Sequence, residues 1–264
     1  MAGLSIATVI GVPLTTYVAD LFSWRASFVL SAVINVLAFM ALALFVPSMP
    51  VEQQKANSGS QLHLLASAQL WTRLITCVLI LAGMFATYGY LAEYLSKVSQ
   101  MSGAQISVML LVFGATGILG NWITGLALTR NVQLTSRIFL IALVIMHLLA
   151  YRLGGFFIPM VTILSVWGFI HTGGFLVANL HVIDGIHGSA LDFVNSLLPS
   201  FFNAGITLGT LLGGAVIASY GVHQVIWMTV LLLLLSFGLS FVKIKASQKR
   251  PANDNVVSDL DLVK

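Results

Sequence analysis

Apolar residues fill this chain in blocks too long and too uniform for a water-soluble fold. A stretch such as "VIWMTVLLLLLSFGLSFV", close to the carboxyl end, is apolar on every side and has no polar face to turn toward water. Crossing a hydrocarbon core of about 30 Å takes roughly 20 helical residues. Runs of that order recur over residues 2–20, 26–46, 72–95, 105–128, 134–151, 156–178, 193–218 and 222–242. A membrane β-barrel would instead show strands of about ten residues that alternate apolar and polar positions, and these blocks do not alternate. The predicted fold class is an all-α integral membrane protein with eight transmembrane helices.

One hydrophilic interruption stands out, "PSMPVEQQKANSGSQLHLLASAQ" from Pro47 to Gln69, with the proline, glycine, serine and glutamine content of a linker. It divides the chain into a two-helix unit over 1–46, an inter-bundle linker over 47–71 and a six-helix unit over 72–242. A polar tail follows over 243–264, basic first and acidic afterwards.

Composition agrees: 58% of residues are hydrophobic and 8% charged, where a soluble domain carries about a quarter charged. The pI near 9.4 does not point to nucleic acid, because the basic residues sort by topology. With a cytoplasmic amino end, nine fall inside (Lys55, Arg73, Arg130, Arg137, Lys243, Lys245, Lys249, Arg250 and Lys264) and three outside, Arg25, Lys97 and Arg152. That is the positive-inside bias, and it places both termini in the cytoplasm. The first span lacks the basic flank of a cleavable signal peptide. The one cysteine, Cys77, sits within an apolar span and reads as a small buried residue.

An internal repeat organises the spans. An offset of 198 residues lays the first span on the seventh and brings Gly11 onto Gly209. Small residues recur every four positions in both, as Gly3, Ala7, Gly11 and Thr15 in one and Gly205, Gly209 and Gly213 in the other. Each set forms a flat stripe on which helix backbones can approach closely. A correspondence between spans one and seven makes the repeat unit six helices long.

These stripes carry a resemblance. "GLSIATVIGVPLTTYVADLFSWRASF" resembles the fifth-helix antiporter motif of the major facilitator superfamily, in the bacterial drug and sugar efflux branch related to arabinose exporters. Gly3, Gly11, Val12, Pro13, Trp24, Arg25 and Phe28 match the pattern, with Ser23 in place of the usual glycine. "MSGAQISVMLLVFGATGILGNWITG" is similar to that family's seventh-to-eighth helix region, and "SLLPSFFNAGITLGTLLGG" to its eleventh helix. The resemblance implies an incomplete major facilitator fold whose eight spans are helices five to twelve. It also implies proton-coupled efflux of sugars, nucleosides or drugs by alternating access between two bundles. Where the family often has an acid in the loop after the eighth helix, "GLALTRN" keeps Gly125 and Arg130 but has Thr129.

Several residues are candidates for chemistry, each with a structural alternative. Pro13 bends its helix and, by the resemblance, seals the contact between halves. Trp24 and Arg25 suit an antiporter motif and equally an interfacial aromatic belt with a snorkelling cation. Ser196, Ser200, Asn203, Thr207, Thr210 and Gly214 fall on one helical face. Such a stripe is costly against lipid, so it faces an aqueous cavity or other helices. Asn203, Thr207 and Thr210 join Tyr88, Asn121, Trp167 and His171 as the candidate substrate cavity. His171 serves there as a ligand or simply as an interhelical hydrogen-bonding group, and His147 lies nearer an outer end. Glu93, an acid inside a span, is a candidate gate or proton site.

"HVIDGIH" offers His181, Asp184 and His187, but these do not share one helical face, and no metalloprotease, nucleophile-elbow or paired-cysteine motif accompanies them. No enzyme, metal or cofactor is expected. The expected partners are a small-molecule substrate, a proton gradient and the lipid bilayer of a bacterial inner membrane, with partner helices if the chain is a truncated unit. In the family the main coupling acid lies in helices one and four, so this polypeptide alone is expected not to catalyse coupled transport. The alternative reading is a non-transporting remnant that packs with or regulates a partner transporter.

Overall fold

The computed structural model describes residues 11–45, 65–186 and 188–242. Everything regular in them is helical: α1 Val12–Leu21, α2 Trp24–Phe45, α3 Ala68–Tyr88, α4 Leu91–Lys97, α5 Gly103–Arg130, α6 Val132–Leu153, α7 Phe157–His171, α8 Gly174–Ile183, α9 Ser189–Tyr220 and α10 Val225–Leu239, the last preceded by a 3-10 turn over Val222–Gln224. Among the described residues, seven helical segments are long and apolar enough to cross a membrane. The first predicted span is represented by α1, and its opening residues, with Gly3, lie outside the described residues. So do most of the linker, the tail and His187.

Two predicted spans prove discontinuous. The third is α3 and α4, interrupted at Gly89 and Tyr90, and the sixth is α7 and α8, interrupted at Thr172 and Gly173. Hydropathy is blind to such interruptions, because two less apolar residues disappear in an average taken over a span. The linker is also shorter than predicted at its carboxyl side. Ser67 caps α3, its Oγ accepting the Leu70 N–H at 3.5 Å, and helix begins at Ala68 rather than after residue 71.

Residues 68–239 pack around one hydrophobic core. Its largest fully buried side chains include Trp167, Tyr94, Leu74, Ile80 and Met84. Hydrophobicity does not hold helices together in lipid, so close backbone approach and hydrogen bonds must. Helices α3 and α9 run parallel, and the glycine stripe of α9 lies directly on the α3 backbone. A Cβ at Gly205 would stand 2.8 Å from the Val78 carbonyl oxygen, and one at Gly209 or Gly213 would overlap those of Ala82 and Ala86. The four-residue period thus repeats on both partners. Helices α5 and α7 approach similarly, with Gly168 against Phe113. Helix α10 runs antiparallel to α3, tied by Thr87 to Thr229 at 2.7 Å and by Ser236 Oγ donating to the Thr76 carbonyl at 3.4 Å.

Helices α1 and α2 form a hairpin, with Ser27 Oγ donating to the Thr15 carbonyl at 2.7 Å. Helix α2 has no buried residue. In contrast to Gly209, a Cβ at Gly11 would meet nothing within 4 Å among the described residues.

Candidate functional site

The two helix breaks meet. Tyr88 is the last residue of α3 and His171 the last of α7, and their rings stack with centroids 4.7 Å apart. At each break the backbone tightens into a shorter turn, Tyr90 N–H donating to the Thr87 carbonyl at 3.0 Å and Gly173 N–H to that of Ile170 at 3.2 Å, and side chains tie the break to neighbouring helices. Thr172 Oγ1 donates to the Gly117 carbonyl of α5 at 2.6 Å, and Gly117 leaves room for it, since a Cβ there would collide with the threonine. On the other side Tyr90 donates its hydroxyl to the Thr210 carbonyl of α9 at 2.9 Å.

A continuous run of rings extends from this junction in both directions. Outward it passes to Phe85, Phe175 and Phe202, with centroids 5.5 to 5.8 Å apart, all half-buried. Inward it passes to Phe113, Trp167 and His147, all buried. Helices α3, α8 and α9 therefore present an aromatic rim whose floor is His171. Every described carboxylate, lysine or arginine lies within six residues of the end of its helical segment, and none belongs to the run of rings.

The predicted site residues divide. Tyr88, Trp167 and His171 come together as described. Asn121 is half-buried on α5, on the side of that helix that carries Gly117 and Gly120 toward α7 and the residue after it. Asn203 and Thr207 are exposed on α9, and Thr210 is half-buried against Gly89. The face carrying Asn203 and Thr207 is the one opposite the glycine stripe, since a two-residue step turns a helix by about 200°. One helix thus divides its labour: glycines grip α3 and polar groups look away from the bundle. Those polar groups are partly satisfied within α9 itself, Ser196 Oγ donating to the Phe193 carbonyl at 2.6 Å and Asn203 Nδ2 to that of Pro199 at 2.9 Å. Asn203 Oδ1 keeps its acceptor capacity for something else.

Glu93 lies on α4 near the carboxyl end of its span, paired with Lys97 at 2.6 Å. Trp24 and Arg25 open α2, exposed, with the guanidinium 4.8 Å over the indole. Pro13 is in α1, and the residues before Gly11, on which a bend at Pro13 would show, lie outside the described residues. His147 is six residues from the carboxyl end of α6. It is 1% exposed, its ring 4.6 Å from Trp167, and its place is the aromatic core. His181 is in the last turn of α8, which ends at Ile183 before a loop with Gly185 at φ 74°. Among the described residues no group of three metal-ligating side chains gathers. Sequence reasoning missed Phe85, Phe113, Phe175 and Phe202; Phe85 and Phe175 had a signal in their closeness to Gly89 and to the Gly173, Gly174 pair, and Phe113 and Phe202 had none.

At the cytoplasmic end of the predicted topology, arginines close helix ends. Arg73 Nη1 donates to the Val182 carbonyl at 3.1 Å and to that of Asp184. Arg137 Nη2 donates to the Ser240 carbonyl at 3.1 Å. Both bring a cation to a helix carboxyl end, where the dipole favours it.

The sequence of residues 1–195 matches the Major Facilitator Superfamily model. The chain belongs to the major facilitator superfamily. It is 28% identical over 228 residues to the "Uncharacterized MFS-type transporter YtbD" of Bacillus subtilis, covering 85% of this chain and 58% of that protein. It is 25% identical over 249 residues to a "Probable sugar efflux transporter" of Helicobacter acinonychis, covering 94% and 63%. Over 125 residues it is 30% identical to the "Putative transporter AraJ" of Escherichia coli, covering 47% and 32%. The chain thus spans less than two thirds of the length of these curated relatives. Within the major facilitator plan, the discontinuous segments fall in the third and sixth of the predicted spans, equivalent to helices seven and ten.

Proposed function

We propose that the chain works in the efflux of small neutral molecules by alternating access, with residues 68–239 as one of two bundles that rock about the substrate. The observation that carries this reading is the junction of two broken helices at an aromatic rim built, among the described residues, without a carboxylate, lysine or arginine. Substrate sites of membrane transporters form where helices are discontinuous and backbone lines a cavity. A polyhydroxylated ring suits such a rim: its apolar face lies on Phe175 or Phe202, and its hydroxyls reach Asn203 and Thr207. The names of the sugar efflux relatives support the same class.

Coupling to a proton gradient belongs to this reading through the family. Glu93 and its partner Lys97 stand at the outer end, where an ion pair that forms and breaks acts as a gate. The bacterial inner membrane, with both termini in the cytoplasm, is the setting the charge bias favours. No specific observation favours the alternative of a non-transporting remnant.

The test is a loss of labelled solute from preloaded cells. Cells with the native locus should release a neutral pentose or hexose several-fold faster than cells with the locus deleted, and a protonophore should remove the difference. Equal rates across neutral sugars, nucleosides and amphipathic drugs would refute the proposal.

A further inference from the structure

Three buried nitrogens at the inner end of the aromatic run have no protein partner: His147 Nε2, Trp167 Nε1 and His171 Nδ1. They belong to consecutive members of one cluster, with ring centroids 4.6 Å apart for His147 and Trp167 and 6.1 Å apart for Trp167 and His171. Trp167 is 1% exposed, His147 1% and His171 4%. Buried polar atoms in folded proteins are nearly always hydrogen-bonded, so three orphans in one place need a common explanation.

Their chemistry is complementary rather than redundant. The other nitrogen of His147, Nδ1, lies 2.7 Å from the Leu143 carbonyl oxygen. A carbonyl only accepts, so Nδ1 carries the hydrogen, and neutral His147 offers a lone pair at Nε2. Trp167 Nε1 is only a donor. A water molecule has two hydrogens to give and lone pairs to receive, and a buried water typically makes about three hydrogen bonds. We infer that one water molecule is held between His147, Trp167 and His171 and fixes His171 as its Nε2–H tautomer.

Two arrangements give the water three bonds, and the favoured one leaves neither of its hydrogens without an acceptor, since a buried donor without a partner is the rarer orphan. The water accepts from Trp167 Nε1–H, gives one hydrogen to His147 Nε2 and gives the other to His171 Nδ1. With Nδ1 an acceptor, the hydrogen of neutral His171 is on Nε2, and His171 is a donor among the rim rings Phe85 and Tyr88 that it contacts. His147 and Trp167 are then positioning residues for the floor of the site. The water itself does not depend on which substrate is carried, or on whether any is.

The measurement is nuclear magnetic resonance of the purified full chain labelled with nitrogen-15 at histidine and tryptophan. The other four tryptophans, Trp24, Trp71, Trp122 and Trp227, are all exposed, so replacing them with Phe leaves the Trp167 indole as the single signal. The expected result is a cross-peak from that indole N–H to a long-lived bound water, and a His171 nitrogen pair with the hydrogen on Nε2. The His171 signal is assigned by its absence in His171→Gln. In His147→Phe, which removes one of the water's acceptors, the bound-water cross-peak should weaken and His171 should divide between tautomers. An indole without bound water, or His171 with its hydrogen on Nδ1, overturns the inference in the unsubstituted histidine background, whether or not His147→Phe folds.

Discussion

Replacing Gly209 with alanine tests the packing that holds the bundle together. A Cβ at this position would stand 2.8 Å from Ala82 Cα and 2.9 Å from its carbonyl carbon, with the carbonyl oxygen nearer still. Carbon atoms prefer about 3.5–4.0 Å, so α9 must lift from α3 by about 1 Å. The neighbouring contacts at Gly205 and Gly213 loosen with it. Overpacking of this kind costs about 1–3 kcal/mol. The helix-propensity gain of Gly to Ala, up to about 1 kcal/mol in water, offsets part of that, leaving a net loss of about 1–2 kcal/mol. Unfolding of the purified chain by titration with dodecyl sulfate, followed by circular dichroism, measures it. Gly238→Ala is the control, since a Cβ there meets nothing within 4 Å, and it should be neutral or slightly stabilising. Because the obstructing atoms are backbone, Ala82→Gly should not rescue Gly209→Ala. A Gly209→Ala protein as stable as the unsubstituted one, or full rescue by Ala82→Gly, would refute the packing argument.

Other positions are expected to respond in distinct ways. A double-mutant cycle between Thr87→Val and Thr229→Val should give a coupling of about 0.5–1.5 kcal/mol, the range for hydrogen bonds between membrane helices, and a coupling near zero would remove that bond from the account. Arg73→Met strips the carboxyl end of α8 of its cap and should cost about 1.5–3 kcal/mol in the same unfolding assay, with Arg130→Met, whose side chain is exposed, as the neutral comparison. Tyr88→Ala should slow efflux several-fold at unchanged expression, while Trp122→Ala on the exposed face of α5 should not. Glu93→Gln breaks only an exposed i,i+4 pair worth about 0.3–0.5 kcal/mol. It should keep most of the efflux, and loss of proton dependence in that variant would move the coupling site to Glu93.

Much of this architecture was legible in the amino-acid sequence, for a physical reason. Lipid demands long apolar helices and close packing between small residues, and both leave one-dimensional signatures. The stripe Gly205, Gly209, Gly213 could be read as a packing face because its period equals that of the helix, although its partner on α3 could not be named. The polar stripe on α9 was equally visible, since Asn203 and Thr207 keep the same period on the opposite face. The helix breaks were not, because Gly89 and Gly173 interrupt the helix without interrupting its averaged hydropathy. The burial of His147 was not legible for a related reason: distance from a helix end along the sequence does not report burial when a neighbouring helix, here the one carrying Trp167, covers that turn. The aromatic run joins residues from six helices, and contacts of that kind leave no periodic trace.

The central claim, that the polar face of α9 beside the aromatic rim lines a water-filled substrate path, is tested most directly by cysteine accessibility. The native Cys77 is fully buried, so a cysteine introduced by Asn203→Cys can be followed alone with a membrane-impermeant maleimide in sealed and in opened membrane vesicles. The account predicts rapid labelling from water, slowed by a transported neutral sugar, and little labelling of Ile123→Cys on the apolar face of α5. Labelling of Asn203→Cys no faster than that of Ile123→Cys would contradict it, placing this face against lipid or protein.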